Sequence, residues 1–157
     1  MTETELPPLI LFNGDRDAYL NELYTAYLNE VVNENLTFQE LPIRYRYDEI
    51  DDKGFGFRHM ISYGLIEEDR SLDMQRCERI RWIAWVLRNA ETSPRVSWWE
   101  NRRKNNKNVV LWLENDDYVV ILSKRKDYYV LLTAYIVYSS RRRVFRRERK
   151  EYQQLKG

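Results

Sequence analysis

The 157-residue chain contains one cysteine and one histidine, and each scarcity excludes a class of protein. Cys77, being alone, cannot close an internal disulfide. With only His59 beside it, the chain lacks the His and Cys ligands of an ordinary zinc site. No apolar run approaches the roughly 18 residues needed to cross a bilayer as a helix. The longest, Tyr128 to Tyr138, is interrupted by Thr133 and rich in β-branched and aromatic residues, which predicts a strand. Met1–Pro8 is acidic and lacks the basic and apolar stretches of a secretory leader, so the expected location is cytoplasmic, in its own or an invaded cell. A G-x-S-x-G elbow, a G-x-x-x-x-G-K-[ST] loop and a dinucleotide fingerprint are also missing, which argues against serine hydrolase and nucleoside-triphosphate chemistry. There is no internal repeat and no low-complexity linker, and the expectation is one domain with residues 1–12 flexible or extended.

Hydrophobic residues make up 43% and aromatic residues 14% of the chain, far too much for disorder and enough for a sizeable core. Charge is unevenly spread. Residues 1–60 carry 12 acidic and 5 basic side chains, a balance of −7, whereas residues 61–157 carry 21 basic and 13 acidic, a balance of +8. The basic half suits a polyanion, because neutralising phosphates releases counterions. It equally suits a solvated surface whose charges face the acidic half.

Asp15 is placed to cap a helix over Asp15–Val32, whose Leu20, Leu23, Tyr24, Tyr27, Leu28 and Val31 form one apolar stripe. Leu36–Tyr47, with Pro42 inside, predicts an edge strand or a bent pair of strands. Asp48–Gly56 reads as a loop, and the state of Phe57–Ser62 is left open by its pattern. A second helix is expected over Asp73–Ala90, with Arg81 and Arg88 solvated, followed by a basic, Asn-rich connector over Trp98–Lys107. Strands at Val109–Glu114, Tyr118–Ser123 and Tyr128–Tyr138 form a meander turned at Asn115-Asp116-Asp117. A basic helix over Arg141–Leu155 ends the chain. The expected fold is α+β: an antiparallel sheet of about four strands packed with an N-terminal, a central and a C-terminal helix.

The Asp51-Asp52 and Asp116-Asp117 pairs fall in turns, where Asp is expected for backbone reasons, so no metal site is assigned and no cofactor is expected. Metal-free RNA cleavage fits the remaining inventory. The substrate supplies its own 2′-hydroxyl nucleophile, and the protein needs an acid, a base and cations for the phosphorane. Histidine is the side chain whose ordinary pKa lies near neutrality, which makes His59 the natural acid or base, although a lone histidine is more often structural. Arg58 precedes it. Arg76 and Arg79 stand at i and i+3 of the expected helix, with Glu78 between them in sequence. On the last strand a simple alternation puts Tyr129, Leu131, Thr133, Tyr135 and Val137 on one face, a hydroxyl between two tyrosines. That face could bond a phosphate and stack bases, or pack against a helix.

The stretches Gly56-Phe57-Arg58-His59-Met60-Ile61-Ser62, Arg76-Cys77-Glu78-Arg79-Ile80-Arg81-Trp82-Ile83, Leu111-Trp112-Leu113-Glu114, Tyr118-Val119-Val120-Ile121-Leu122 and Tyr128-Tyr129-Val130-Leu131-Leu132-Thr133-Ala134-Tyr135 carry a resemblance. In that order they resemble the phage-associated branch of the barnase–EndoU–colicin–RelE superfamily of ribonuclease-fold domains. The likeness runs from about Asp15 to the end of the chain. It implies a helix-plus-antiparallel-sheet fold and, in many relatives, metal-independent cleavage of RNA in toxin or phage settings. By position His59 matches the active-site histidine and Thr133 the hydroxyl residue of the late strand, with Arg76 and Arg79 on the arginine-bearing helix. This chain departs from two-histidine relatives, so the base would be a carboxylate, with Glu78 the candidate. Arg58, Arg76 and Arg79 would then hold the scissile phosphate and Thr133 one of its oxygens. Tyr129 and Tyr135 would stack bases, and the helix carrying Arg141, Arg142, Arg143 and Arg146 would track the backbone of a structured RNA such as tRNA. A cognate immunity or antitoxin protein is a further expected partner, and a catalytically silent binding module of the same fold is the alternative.

Overall fold

The computed structural model describes residues 5–46, 53–64, 71–103 and 105–156. Tyr47, most of the expected loop over 48–56 including Asp51 and Asp52, and Lys104 of the expected connector lie outside the described residues.

Helix α1 (Arg16–Glu30) starts where the sequence predicts. The Asp15 carboxylate accepts the Ala18 N–H at 3.1 Å and satisfies one of the first-turn donors. Tyr19, Leu23, Tyr27 and Val31 recur every four residues and are buried, so the apolar stripe is centred one residue earlier than Leu20. The described segment ahead of it forms no helix or strand but is pinned. Ile10 N–H donates to the Glu78 carbonyl, and the Tyr19 hydroxyl and Trp82 indole donate to the Ile10 and Pro7 carbonyls. Leu36 onward forms the bent pair, β1 (Thr37–Phe38) and β2 (Leu41–Tyr45). Its two-residue turn, Gln39-Glu40, holds φ of 49° and 68°, the left-handed pair that matches hairpin twist. Glu91 clamps the turn by accepting from Gln39 N and Nε2 at 3.0 and 3.1 Å.

Phe57–Ser62 resolves as helix α2 (Phe57–Ile61) running into β3 (Ser62–Tyr63), which pairs with β4 (Ser71–Leu72). The expected long helix over Asp73–Ala90 is instead two, α3 (Met74–Glu78) and α4 (Ile80–Asn89). At Arg79, with φ −102° and ψ 18°, the ladder tightens: Arg79 N–H reaches the Arg76 carbonyl and Trp82 N–H the Arg79 carbonyl, each three residues back. Arg81 and Arg88 are not simply solvated. Arg81 pairs with Glu30 at 3.1 Å, and Arg88 donates to the Glu30 carbonyl, tying α4 to α1.

The expected connector over Trp98–Lys107 is a hairpin, β5 (Val96–Arg103) with the start of β6 (Asn106–Leu113). β7 (Tyr118–Lys124), β8 (Tyr129–Ile136) and α5 (Ser139–Lys156) follow. The main sheet has six strands rather than about four, in the order β1-β2-β8-β7-β6-β5. It is mixed rather than antiparallel, because β2 joins β8 in parallel, Ile43 opposite Tyr129 through Tyr45 opposite Leu131. The α+β class stands. No helix among the described residues is long and apolar enough to cross a membrane.

Alternation sorts the meander onto two faces. Val109, Leu111, Leu113, Tyr118, Val120 and Leu122 face helices α1 to α4, while Val110, Trp112, Val119 and Ile121 face α5. Phe145 of α5 is wedged edge-on between Trp99 and Trp112 at 5.4 and 5.6 Å, and its burial contributes about 2–3 kcal/mol to docking.

Candidate functional site

β8 positions the site through an irregularity. Ile121 pairs with Thr133 but Leu122 pairs with Leu131, so Leu132 is an extra residue, a β-bulge. The bulge inverts the alternation expected from the sequence. Tyr129 and Leu131 lie in the core under the helices together with Ala134, whereas Leu132 and Tyr135 pack on the α5 side. The predicted single face of Tyr129, Thr133 and Tyr135 is therefore broken. Tyr129 is 2% exposed, edge-on against Phe38 at 5.4 Å, and cannot stack a base.

Among the described residues β2 pairs with β8 as far as Leu131, and helices α2 and α3 also pack on β8. This brings three predicted residues together. The Arg76 guanidinium donates from Nη1 to the Ser62 carbonyl at 2.5 Å, the His59 carbonyl at 3.3 Å and Thr133 Oγ1 at 3.4 Å. Thr133 Oγ1 in turn donates to the His59 carbonyl at 3.3 Å. Arg76 also pairs with Asp73 at 3.4 Å, and its guanidinium lies 5.5 Å from the Tyr135 ring centre. The cluster meets His59 at its main chain, and His59 as a whole is only 6% exposed. Arg58, half-buried, offers its carbonyl to the Ser62 hydroxyl.

Other predicted residues go elsewhere. Arg79 donates to the Gln75 carbonyl at 3.1 Å, pairs with Glu78 at 3.6 Å and lies over Trp82 at 5.2 Å. Glu78 is next to Cys77 in α3, and its charge acts on Tyr19. The Tyr19 phenol is pushed up to about 12 by burial first, then by Cys77 and Glu78. On α5, Arg142 pairs with Asp117 and Arg146 with Glu114 at 3.3 Å, joined by Arg149 at 2.8 Å, so these arginines fasten the helix to the β6–β7 turn. Burial would raise the Glu114 carboxyl, but the hydrogen bonds and charges of Arg149 and Arg146 hold it below its ordinary value. Asp116 is likewise paired, with Arg95 at 3.3 Å. Arg141 and Arg143 remain exposed.

Between the sheet and α5 lies a groove of about 240 Å³. Thr133, Tyr135 and Arg141 line it with Asn101 and Asn108. Sequence pattern singles out neither asparagine: Asn101 falls within the expected connector over Trp98–Lys107, and Asn108 falls between it and the strand expected from Val109. A signal was present: the polar Lys104-Asn105 step lies between two runs containing Trp98, Trp99, Val109 and Val110, as at a hairpin turn. No protein-family model, curated protein or solved structure significantly matches this chain. The functional reading therefore rests on residues and geometry.

Proposed function

We propose that the chain is a metal-independent endoribonuclease domain of the barnase–EndoU–colicin–RelE type that cuts structured RNA such as tRNA. One observation carries the reading: α2, α3 and β8, far apart in sequence, converge so that Arg76 and Thr133 both bond the residue-59 position. In this reading the substrate 2′-hydroxyl attacks its own phosphate, the His59 imidazole transfers a proton, and the Arg76 guanidinium with Arg58 neutralises the phosphorane. Tyr135, beneath Arg76, offers a ring for base stacking. Glu78, paired with Arg79, gains no support as the base from the geometry. A toxin-like or phage-linked setting, a cytoplasmic site of action and a cognate immunity or antitoxin protein belong to the same proposal.

A second reading, an RNA-binding module without cleavage, is favoured by the 6% exposure of His59. Purified protein incubated with total tRNA and EDTA separates the two, beside His59→Ala and His59→Gln variants checked for an unchanged melting temperature. Cleavage leaving 2′,3′-cyclic phosphates and lost in the folded variants supports the ribonuclease. Cleavage unaffected by both substitutions overturns the role of His59, and salt-sensitive binding without cleavage leaves the module.

A further inference from the structure

The groove beneath α5 has polar walls whose requirements its own side chains do not meet. Asn101 of β5 and Asn108 of β6 stand directly opposite in the antiparallel register, so their side chains rise on the same face about 5 Å apart at Cβ. Asn101 donates its amide N–H to Glu148 Oε1 at 3.0 Å, and a carboxylate only accepts, which fixes the orientation of this carboxamide. Its Oδ1 is buried with no hydrogen-bond partner among the described residues, and so is Oδ1 of Asn108. Two buried carbonyl oxygens side by side call for a ligand that donates, since an unmet buried acceptor is destabilising.

The remaining walls limit what that ligand can be. Val110, Ile121, Leu132 and the Phe145 ring give the groove an apolar lining, and Tyr135 adds a second aromatic ring. Its volume of about 240 Å³ is below that of sites for drug-sized molecules, so it suits one flat ring system. Arg141 is the cation of the lining, with its guanidinium 6.0 Å from the Phe145 ring centre.

We infer that this groove seats a single nucleobase bearing an exocyclic amino group, with the attached phosphate at Arg141. An amino group carries two N–H donors and can satisfy Asn101 and Asn108 together, whereas the imide of uracil has one. Thr133 belongs to both the groove and the Arg76 cluster, so the base would lie beside the proposed cleavage site. The inference deepens the ribonuclease reading and rests on it only in assigning the base to an RNA strand.

The test is a titration of the full chain with adenosine, cytidine and uridine 5′-monophosphates, followed through the side-chain amide NMR signals of Asn101 and Asn108. Adenosine or cytidine monophosphate is expected to shift both signals, with uridine monophosphate about tenfold weaker for the one acceptor left unmet. Asn108→Leu should abolish the shift at Asn101, and Asn108→Ser serves if the leucine variant does not fold. Arg141→Ala should weaken the nucleotides and leave the parent nucleosides unchanged. Equal affinity for uridine monophosphate, or no shift at these amides with any nucleotide, overturns the inference. Cleavage of tRNA without amide shifts refutes the groove alone, whereas amide shifts without cleavage refute the ribonuclease alone.

Discussion

Replacing Arg76 with alanine tests the centre of the site, because the side chain is 14% exposed and joins α2, α3 and β8. Its charged bond to the Ser62 carbonyl, at 2.5 Å, should be the strongest, contributing about 1.5–3 kcal/mol. The contacts at 3.3 and 3.4 Å exceed the usual 2.7–3.2 Å range and contribute less. The partly exposed Asp73 pair contributes up to about 1 kcal/mol. The expected loss is therefore about 3 kcal/mol, or roughly 6–12 °C in melting temperature for a chain of this size. Thr133→Val removes one neutral donor to the His59 carbonyl and should cost about 1 kcal/mol. Because both side chains bond the same carbonyl and each other, the double variant should depart from additivity by at least about 0.5 kcal/mol. Urea unfolding of the four proteins measures the cycle, with Arg76→Lys alongside. Lysine keeps the charge but not the planar fork, and should restore less than half of the loss. A loss under about 1 kcal/mol for Arg76→Ala, or strict additivity, would refute the view that this cluster holds the His59 segment in place.

Three further outcomes follow from other parts of the fold. The Glu114 carboxyl is held below its ordinary value when folded, so its contribution is present above the unfolded pKa and is lost as pH falls through the folded one. Glu114→Gln should therefore lower stability at neutral pH and flatten the acid limb of the stability profile, and an unchanged acid limb would show that the arginine pairing does not hold α5. Phe145→Ala should cost about 3–5 kcal/mol and alter the environments of Trp99 and Trp112, seen as lost near-ultraviolet circular dichroism. Glu40→Gly should stabilise by about 1 kcal/mol, since glycine adopts the φ of 68° without the left-handed penalty, and thermal unfolding would read a rise of about 2–4 °C.

Much of the site was nameable from the sequence, but its arrangement was not. Thr133 and Tyr135 were assigned to a single face with Tyr129 by a period of two, and that assumption fails at Leu132. A bulge depends on how Ile121 and Leu122 register against the neighbouring strand, which the β8 residues alone do not encode. Tyr129, ahead of the bulge, is in the core, and Thr133 and Tyr135, beyond it, lie near Arg76. Arg79 was paired with Arg76 by helical spacing, but the tightened turn at that residue ends α3 and sends its guanidinium to Gln75 and Trp82. The basic C-terminal helix was correctly placed. That Arg142, Arg146 and Arg149 are engaged by Glu114 and Asp117 depends on the packing of that helix over the β6–β7 turn.

Local chemistry by itself determined α1 with its Asp15 cap, the β6–β7 hairpin, the β8 strand, the C-terminal helix and the α+β class. Each rests on short-range periodicity or turn chemistry. Tertiary structure decided the parallel β2–β8 pair, the two-helix break at Arg79, the strand at Val96–Arg103 and the groove facing Asn101 and Asn108. Those features are set by which surfaces meet across long stretches of chain, and the pattern of one segment does not contain that information.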